Sequence, residues 1–195
     1  MAVPKQNLKN VSQRRKRKRG NKDERVRRTQ ARIDAAFVEL LFRRPYGDIR
    51  IGDITRKAHV GRATFYAHYS DKDDLLRSQF ERIVTRMLVP NKGSLLDGTA
   101  FFAHVGSSPE IYKSLMGPGG GSAPRVVRES VEAHVRRLLS FTEKSNLDLK
   151  QVAMARFVAS ALISVTECWL ERGAGESPKQ VQTLFAEFVG SGVRC

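Results

Sequence analysis

Cysteine and histidine are both scarce in this chain, and neither is placed where chemistry would need it. Cys168 sits inside an apolar helical pattern and Cys195 is the last of 195 residues, so no disulfide framework is available and reduced thiols are expected. His59, His68, His104 and His134 never fall three or four residues apart, nor next to a cysteine or a pair of carboxylates. The spacings of a zinc centre or a catalytic cluster are missing, and no metal, no cofactor and no enzymatic activity are expected. Glu167 and Glu171, one turn apart, read as the wet edge of a helix. Long apolar runs are lacking as well: FVASALISVT, between Arg156 and Glu167, is the longest uncharged one in a helical region. It is half of the roughly 20 residues a membrane span requires, so no transmembrane helix is expected. The opening MAVPKQNLKN has no apolar stretch ahead of its basic run, so no secretory signal is expected and the protein is placed in the cytoplasm.

Positive charge, by contrast, is plentiful and lopsided. The net charge is +15, yet residues 1 to 32 hold 13 Lys or Arg against Asp23 and Glu24, while residues 94 to 195 hold 11 against 10 acids. That gradient describes a polyanion-binding N-terminal part joined to a nearly neutral part with another task. Residues 1–24, with RRKRKR at 14–19, are too polar to bury enough surface to offset their ordering entropy and read as a disordered basic arm.

From Thr29 onward Ile33, Ala36, Phe37, Leu40 and Leu41 recur at helical spacing, placing one apolar stripe on a helix that ends before Pro45. Strand-like alternation is absent, so the chain reads as all-α, with about nine helices. Short helices fit 52–58 and 62–69, separated by His59, Val60 and Gly61. Ser70 with Asp73 resembles a capping box opening a fourth helix that carries Leu75, Leu76, Phe80, Ile83, Val84 and Met87. Further helices fit 95–105, 109–116 with Ser108 as cap and Pro109 in the first turn, and 125–144. GPGGGSAP at 117–124 lacks the Lys-Ser/Thr and the preceding strand of a phosphate cradle, and reads as a linker. Between 152 and 170 only Arg156, Ser160, Ser164 and Glu167 form a polar stripe, so this helix must be covered on several sides. The last helix opens with SPKQ at 177–180, a capping box with Pro at its first position.

Two short helices joined by a tight turn and flanked by longer apolar ones make a helix-turn-helix unit, whose second helix can enter a DNA major groove. Gly61 gives that helix a permissive start. Arg62 can pair bidentately with guanine, the Ala63 methyl can lie against thymine, and the Thr64 and Tyr66 hydroxyls can reach phosphates. The aromatics have a second reading as core: Phe65 is expected to point inward, whereas Tyr66 and Tyr69 fit either core or DNA face.

The stretch 30–84, above all DIRIGDITRKAHVGRATFYAHYSDKDDLL, resembles the DNA-binding domain of the TetR family of bacterial transcriptional regulators. The resemblance implies an N-terminal three-helix DNA-binding domain, here 25–75, followed by a helical ligand-binding and dimerisation domain, here 76–195. It implies base contacts from Arg62 and Ala63, base or backbone contacts from Thr64, Tyr66 and His68, and a phosphate contact from Lys72. Three positions depart from the family pattern. Arg50 stands where Thr often caps the second helix, so either the cap is lost or the arginine serves as an extra phosphate ligand. His59 stands where Gly often occupies the turn, and Gly61 where Ser often caps the reading helix.

The basic arm, Arg14, Arg15, Lys16, Arg17, Lys18 and Arg19, reads either as a DNA-backbone contact or as a solvated tail. At the other end Val158, Leu162, Val165, Trp169, Val181, Leu184, Phe185 and Phe188 would pack against a second copy, the alternative being a closed monomeric core. Phe101, Phe102, Tyr112, Met116, Phe141 and Phe157 are candidates for lining an effector cavity, and each also fits ordinary core. The expectation is a homodimeric repressor that binds a palindromic operator in double-stranded DNA and answers to a small-molecule effector, with no membrane partner. The competing class is an architectural nucleic-acid binder that works by charge alone.

Overall fold

The computed structural model describes residues 5–91, 95–139 and 148–193, with side chains from 23 to 91, 95 to 138 and 148 to 190. Among these residues the chain forms nine helices: α1 (Lys5–Leu41), α2 (Ile51–Ala58), α3 (Arg62–Tyr66), α4 (Lys72–Met87), α5 (Thr99–Ser107), α6 (Pro109–Met116), α7 (Ala123–Leu139), α8 (Leu149–Glu171) and α9 (Pro178–Val193). Strands β1 (Val89–Pro90) and β2 (Leu96–Asp97) pair antiparallel, Val89 opposite Asp97, and close the connection between α4 and α5. This pair is too short for any alternating pattern to announce it.

The helical expectation needs correction at several ends. The backbone of residues 5–22 continues α1. Lys, Arg and Gln lose little rotamer freedom in a helix, and the i to i−4 ladder satisfies the backbone without tertiary support. The reading helix α3 stops at Tyr66 rather than at 69, because the His68 and Tyr69 amides both close onto the Phe65 carbonyl at 2.9 Å. Asp71, not Ser70, caps α4: its carboxylate accepts from the Asp74 amide at 2.7 Å, and the Asp74 carboxylate accepts from the Ser70 amide at 2.9 Å. A carboxylate outcompetes a hydroxyl for these amides because its bonds are charge-assisted. The Ser177–Gln180 box at the start of α9 forms as expected, with the Ser177 amide donating to Gln180 Oε1 at 2.8 Å. An equivalent box, Asp148 with Gln151, starts α8.

Two apolar clusters organise the packing, and α4 contributes to both. Leu75 and Leu76 join Ile33, Phe37, Tyr46, Ile54, Phe65 and Tyr69 in the N-terminal cluster. Phe80 and Val84 join Phe102, Val131, Val158, Leu162, Trp169 and Phe185 in the C-terminal one. One stiff helix thus links both ends of the molecule. Helix α8 is the one described helix long and apolar enough to cross a membrane, with 23 residues and a mean hydropathy of 1.3 in its best window. Run length gave no such helix, because Arg156 and Glu167 interrupt the run while a window averages over them. Its Val158, Leu162, Ile163, Trp169 and Leu170 are buried in the protomer.

The 117–124 stretch is a built joint rather than a spacer. The Gly47 amide donates to the Gly119 carbonyl at 2.8 Å, and the Ser114 hydroxyl donates to the Arg44 carbonyl at 2.9 Å. A Cβ at Gly119 would stand 2.5 Å from the Pro45 Cβ, and Gly121 has φ +58°, so side chains are excluded by crowding and by backbone sign. Leu115, Ala123 and Val126 consequently complete the N-terminal cluster from the other half of the chain.

Candidate nucleic-acid interface

Helix α2 begins at Arg50, whose extended backbone donates to the Asp53 carboxylate at 3.0 Å. A guanidinium has no acceptor to return the bond, so the first turn is closed from Asp53 alone. That bond from the Arg50 amide, aided by the charge of Arg44, holds the Asp53 carboxyl below the usual range. At the far end His59 adopts φ 52°, ψ 49° and terminates α2 in the left-handed region. Arg32 of α1 reaches across and donates to the carbonyls of Ala58 and His59 at 2.6 and 2.7 Å. The position where glycine is usual is thereby made to work with histidine.

The aromatics of α3 divide by burial. Phe65 is fully buried and packs edge-on to Tyr66 at 5.6 Å. Tyr66, at 55% exposure, stands out of the helix on the solvent side. It shares that face with exposed Gly61, Arg62 and Ala63, while Thr64 and His68 are half-buried. The Arg62 guanidinium lies over Gly52, where a Cβ would stand 3.5 Å from its Nη2. Neither Arg50 nor Arg62 forms an ion pair among the described residues, although Arg44 and Arg56 both pair with Asp53 and Lys57 pairs with Glu39. The face that carries α3 therefore keeps uncompensated positive charge, which is what a phosphate backbone attracts.

Two residues expected at the DNA are also engaged within the chain. Tyr69 is buried; its hydroxyl donates to Asp34 at 2.8 Å and accepts from Gln30 at 3.1 Å. Burial, then the bond to Asp34, raises its phenol pKa. Arg82 of α4 pairs with the same Asp34 at 2.8 Å, so α1, α4 and the segment that follows α3 are locked at one point. Lys72 donates to the carbonyls of Tyr46 and Ile49, both at 2.7 Å, and its ammonium lies 4.0 Å from the Tyr46 ring centre. Two of its three protons are spent inside the chain, and burial lowers its pKa. Nothing in helical periodicity reveals such internal bonds, since the partners lie 23 to 39 residues away. Residues 14–19 lie within α1, and their side chains fall outside the described ones.

The joint between the 117–122 turn and the N-terminal helices is centred on Asp73, which helical spacing placed in a capping box with Ser70. Its carboxylate accepts from Tyr46 at 2.5 Å and Ser122 at 2.6 Å, and pairs with Arg125 at 3.2 Å. Burial alone would raise the Asp73 carboxyl, but the bonds from Ser122 and Tyr46 and the charges of Arg125 and Lys72 outweigh it and hold the group low.

The dimerisation candidates fall into two sets. Val158, Leu162 and Phe185 point into the protomer, as do most atoms of Val165, Trp169 and Val181, while Leu184 and Phe188 are exposed at 43% and 52%. Ala161, Ser164, Cys168, Leu184 and Phe188 line a shallow apolar concavity of about 500 Å³ between α8 and α9. Of the effector-cavity candidates, Phe101 and Phe102 fill the C-terminal core, Met116 packs against both clusters and Phe157 faces solvent at 43% exposure. Tyr112 lines a cavity, and Phe141 lies outside the described residues.

An exposed, positively charged reading helix held on a buried three-helix core defines a helix-turn-helix DNA-binding protein. Residues 33–78 match the family of bacterial regulatory proteins called the tetR family. Among curated proteins the chain is similar to the uncharacterized HTH-type transcriptional regulator YxbF of Bacillus subtilis (strain 168), with 28% identity over 180 residues that cover 86% of this chain and 46% of that protein. The chain thus spans about half the length of that relative. Its fold is shared by a TetR transcriptional regulator from Streptococcus agalactiae 2603V at TM-score 0.54 and 22% identity, covering 86% of this chain and 97% of that one. The fatty acid degradation regulator FadR from Bacillus halodurans matches at TM-score 0.53 and 15% identity, covering 85% and 96%.

Proposed function

We propose that this chain is a cytoplasmic homodimeric repressor that reads a palindromic operator, with residues 25–75 as reading head and 76–195 as effector-binding and dimerising body. The observation that carries this reading is the division of α3: Phe65 inward, and Arg62, Ala63 and Tyr66 outward beside an unpaired Arg50. Arg62 and Ala63 take base edges; Thr64, Tyr66, His68 and Arg50 take backbone or base. Residues 14–19 extend α1 as a basic rod beside the site and add salt-dependent affinity. Leu184 and Phe188 seat the concavity between α8 and α9 on a second copy, which sets two reading helices roughly 34 Å apart. Mass action of the pair multiplies a modest single-site affinity. Effector binding in the body changes the angle between the heads.

Purified full chain, incubated with fragmented genomic DNA at near-physiological salt, tests this directly. An inverted repeat recovered about 10³-fold above random duplex supports the regulator. Uniform recovery at the same salt sinks it in favour of an architectural binder.

A further inference from the structure

A cavity of about 240 Å³ lies where α1 meets α4, α5 and α6, against the reading head rather than inside the helical body. Its walls include Val38 and Leu41 of α1, Gln79 and Ile83 of α4, His104 of α5 and Tyr112 of α6. They are apolar apart from three groups. The Tyr112 hydroxyl and the Gln79 Nε2 are buried and have no hydrogen-bond partner among the described residues. Tyr112 is 3% exposed, and its ring is boxed edge-on by Phe101, His104 and Phe80 at 6.1, 6.0 and 6.5 Å. These rings pack around the phenol on three sides. Native interiors rarely leave buried donors unmet, because the lost solvation is not returned.

Among the described residues no Lys, Arg, Asp or Glu lines the space. Burial lowers the His104 pKa and raises that of the Tyr112 phenol, so both stay neutral near pH 7. A charged guest would meet no counter-ion in an apolar wall, and a purely apolar one would leave the two donors unmet. The volume admits about eight to ten water-sized groups.

We propose that this cavity binds a small neutral molecule with an apolar body and a hydrogen-bond acceptor, to which the Tyr112 hydroxyl and the Gln79 amide donate. Binding stands on these walls alone. Its use as a switch rests on the regulator reading, and follows from the shared wall: α1 carries Ile33 and Phe37 into the core beneath α3, so a guest wedged against Val38 and Leu41 biases the head against α4.

The full chain is titrated by calorimetry with three probes: acetophenone, α-methylstyrene, which replaces the carbonyl oxygen by a methylene, and benzoate. Acetophenone is expected to bind saturably and at least tenfold more tightly than the other two. Tyr112→Phe and Gln79→Leu each bring it toward α-methylstyrene and leave α-methylstyrene itself unchanged, with thermal melts confirming folded variants. Equal binding of acetophenone and α-methylstyrene by the unaltered chain would overturn the proposal, as would preference for benzoate or no saturable binding, which marks a cavity holding water only. A chain that binds acetophenone but selects no inverted repeat would defeat the proposed function and leave this site standing. Repeat selection without binding of any probe would do the reverse.

Discussion

Two turns border the reading head, and they are built by opposite means. At 59–61 the chain reverses through a left-handed His59, and Arg32 secures the two freed carbonyls. At 117–122 the reversal depends on backbone meeting backbone: Gly47 faces the Gly119 carbonyl and Gly119 faces Pro45, each where a Cβ would stand below 3 Å. The first turn is a local device that tolerates a side chain because nothing crowds it from outside. The second is a tertiary device, and its glycines mark the close approach of a distant segment. A glycine-rich stretch between helices therefore carries two meanings, and only its neighbours decide between them.

Breaking the support of the first turn should have the largest effect. Phe65→Ala removes a fully buried ring beneath both short helices and should cost about 3–5 kcal/mol in a denaturant melt; a loss below about 1 kcal/mol would mean that the head does not depend on it. The second turn comes next. Gly119→Ala drives a methyl into Pro45 and should cost about 1–3 kcal/mol, whereas Gly175→Ala, where a Cβ meets nothing within 4 Å, should be close to neutral. Equal costs at the two glycines would remove the claim that the joint is crowded.

On the DNA side, Arg62→Ala should weaken operator binding by about 1–3 kcal/mol in a fluorescence titration while stability stays within about 0.5 kcal/mol. Lys72→Ala should show the inverse pattern, a stability loss exceeding the change in intrinsic DNA affinity, because its ammonium is tied to Tyr46 and Ile49. Asp73 contributes through pH. Its carboxyl sits lower in the folded state than in the unfolded one, so its stabilisation is present above about pH 4 and is lost as pH falls through the folded value. Asp73→Asn should thus flatten the acid limb of the stability profile, and an unchanged limb would leave the joint without an electrostatic role. The smallest effect returns to the first turn. His59→Gly relieves the left-handed strain against a partial entropic cost, and should raise Tm by about 1–3 °C.

Much of the head was legible without a structure. The stripe Ile33, Phe37, Leu40 and the inward Phe65 follow from helical spacing, and the outward Arg62 and Ala63 follow from their place at the start of α3. The internal bonds of Tyr69 and Lys72 were not legible, because burial of a polar side chain depends on the partner it finds, here Asp34 of α1 and two carbonyls of the 46–49 segment. In residues 5–22 a sequence too polar to bury is still able to be helical, since a helix satisfies its own backbone.

By itself the sequence determined the helical class, the bias of positive charge toward one end and the pair of short helices before α4. These depend on periodicity, composition and residues within a turn or two of each other. The tertiary structure alone decided which polar groups are tied inside the chain, that the glycine turn seats on Pro45, and that Tyr112 and Gln79 line one cavity, each with a buried donor unmet. Those outcomes are set by which surfaces meet, and residues 30 to 80 positions apart acquire a common environment only when the helices that carry them pack.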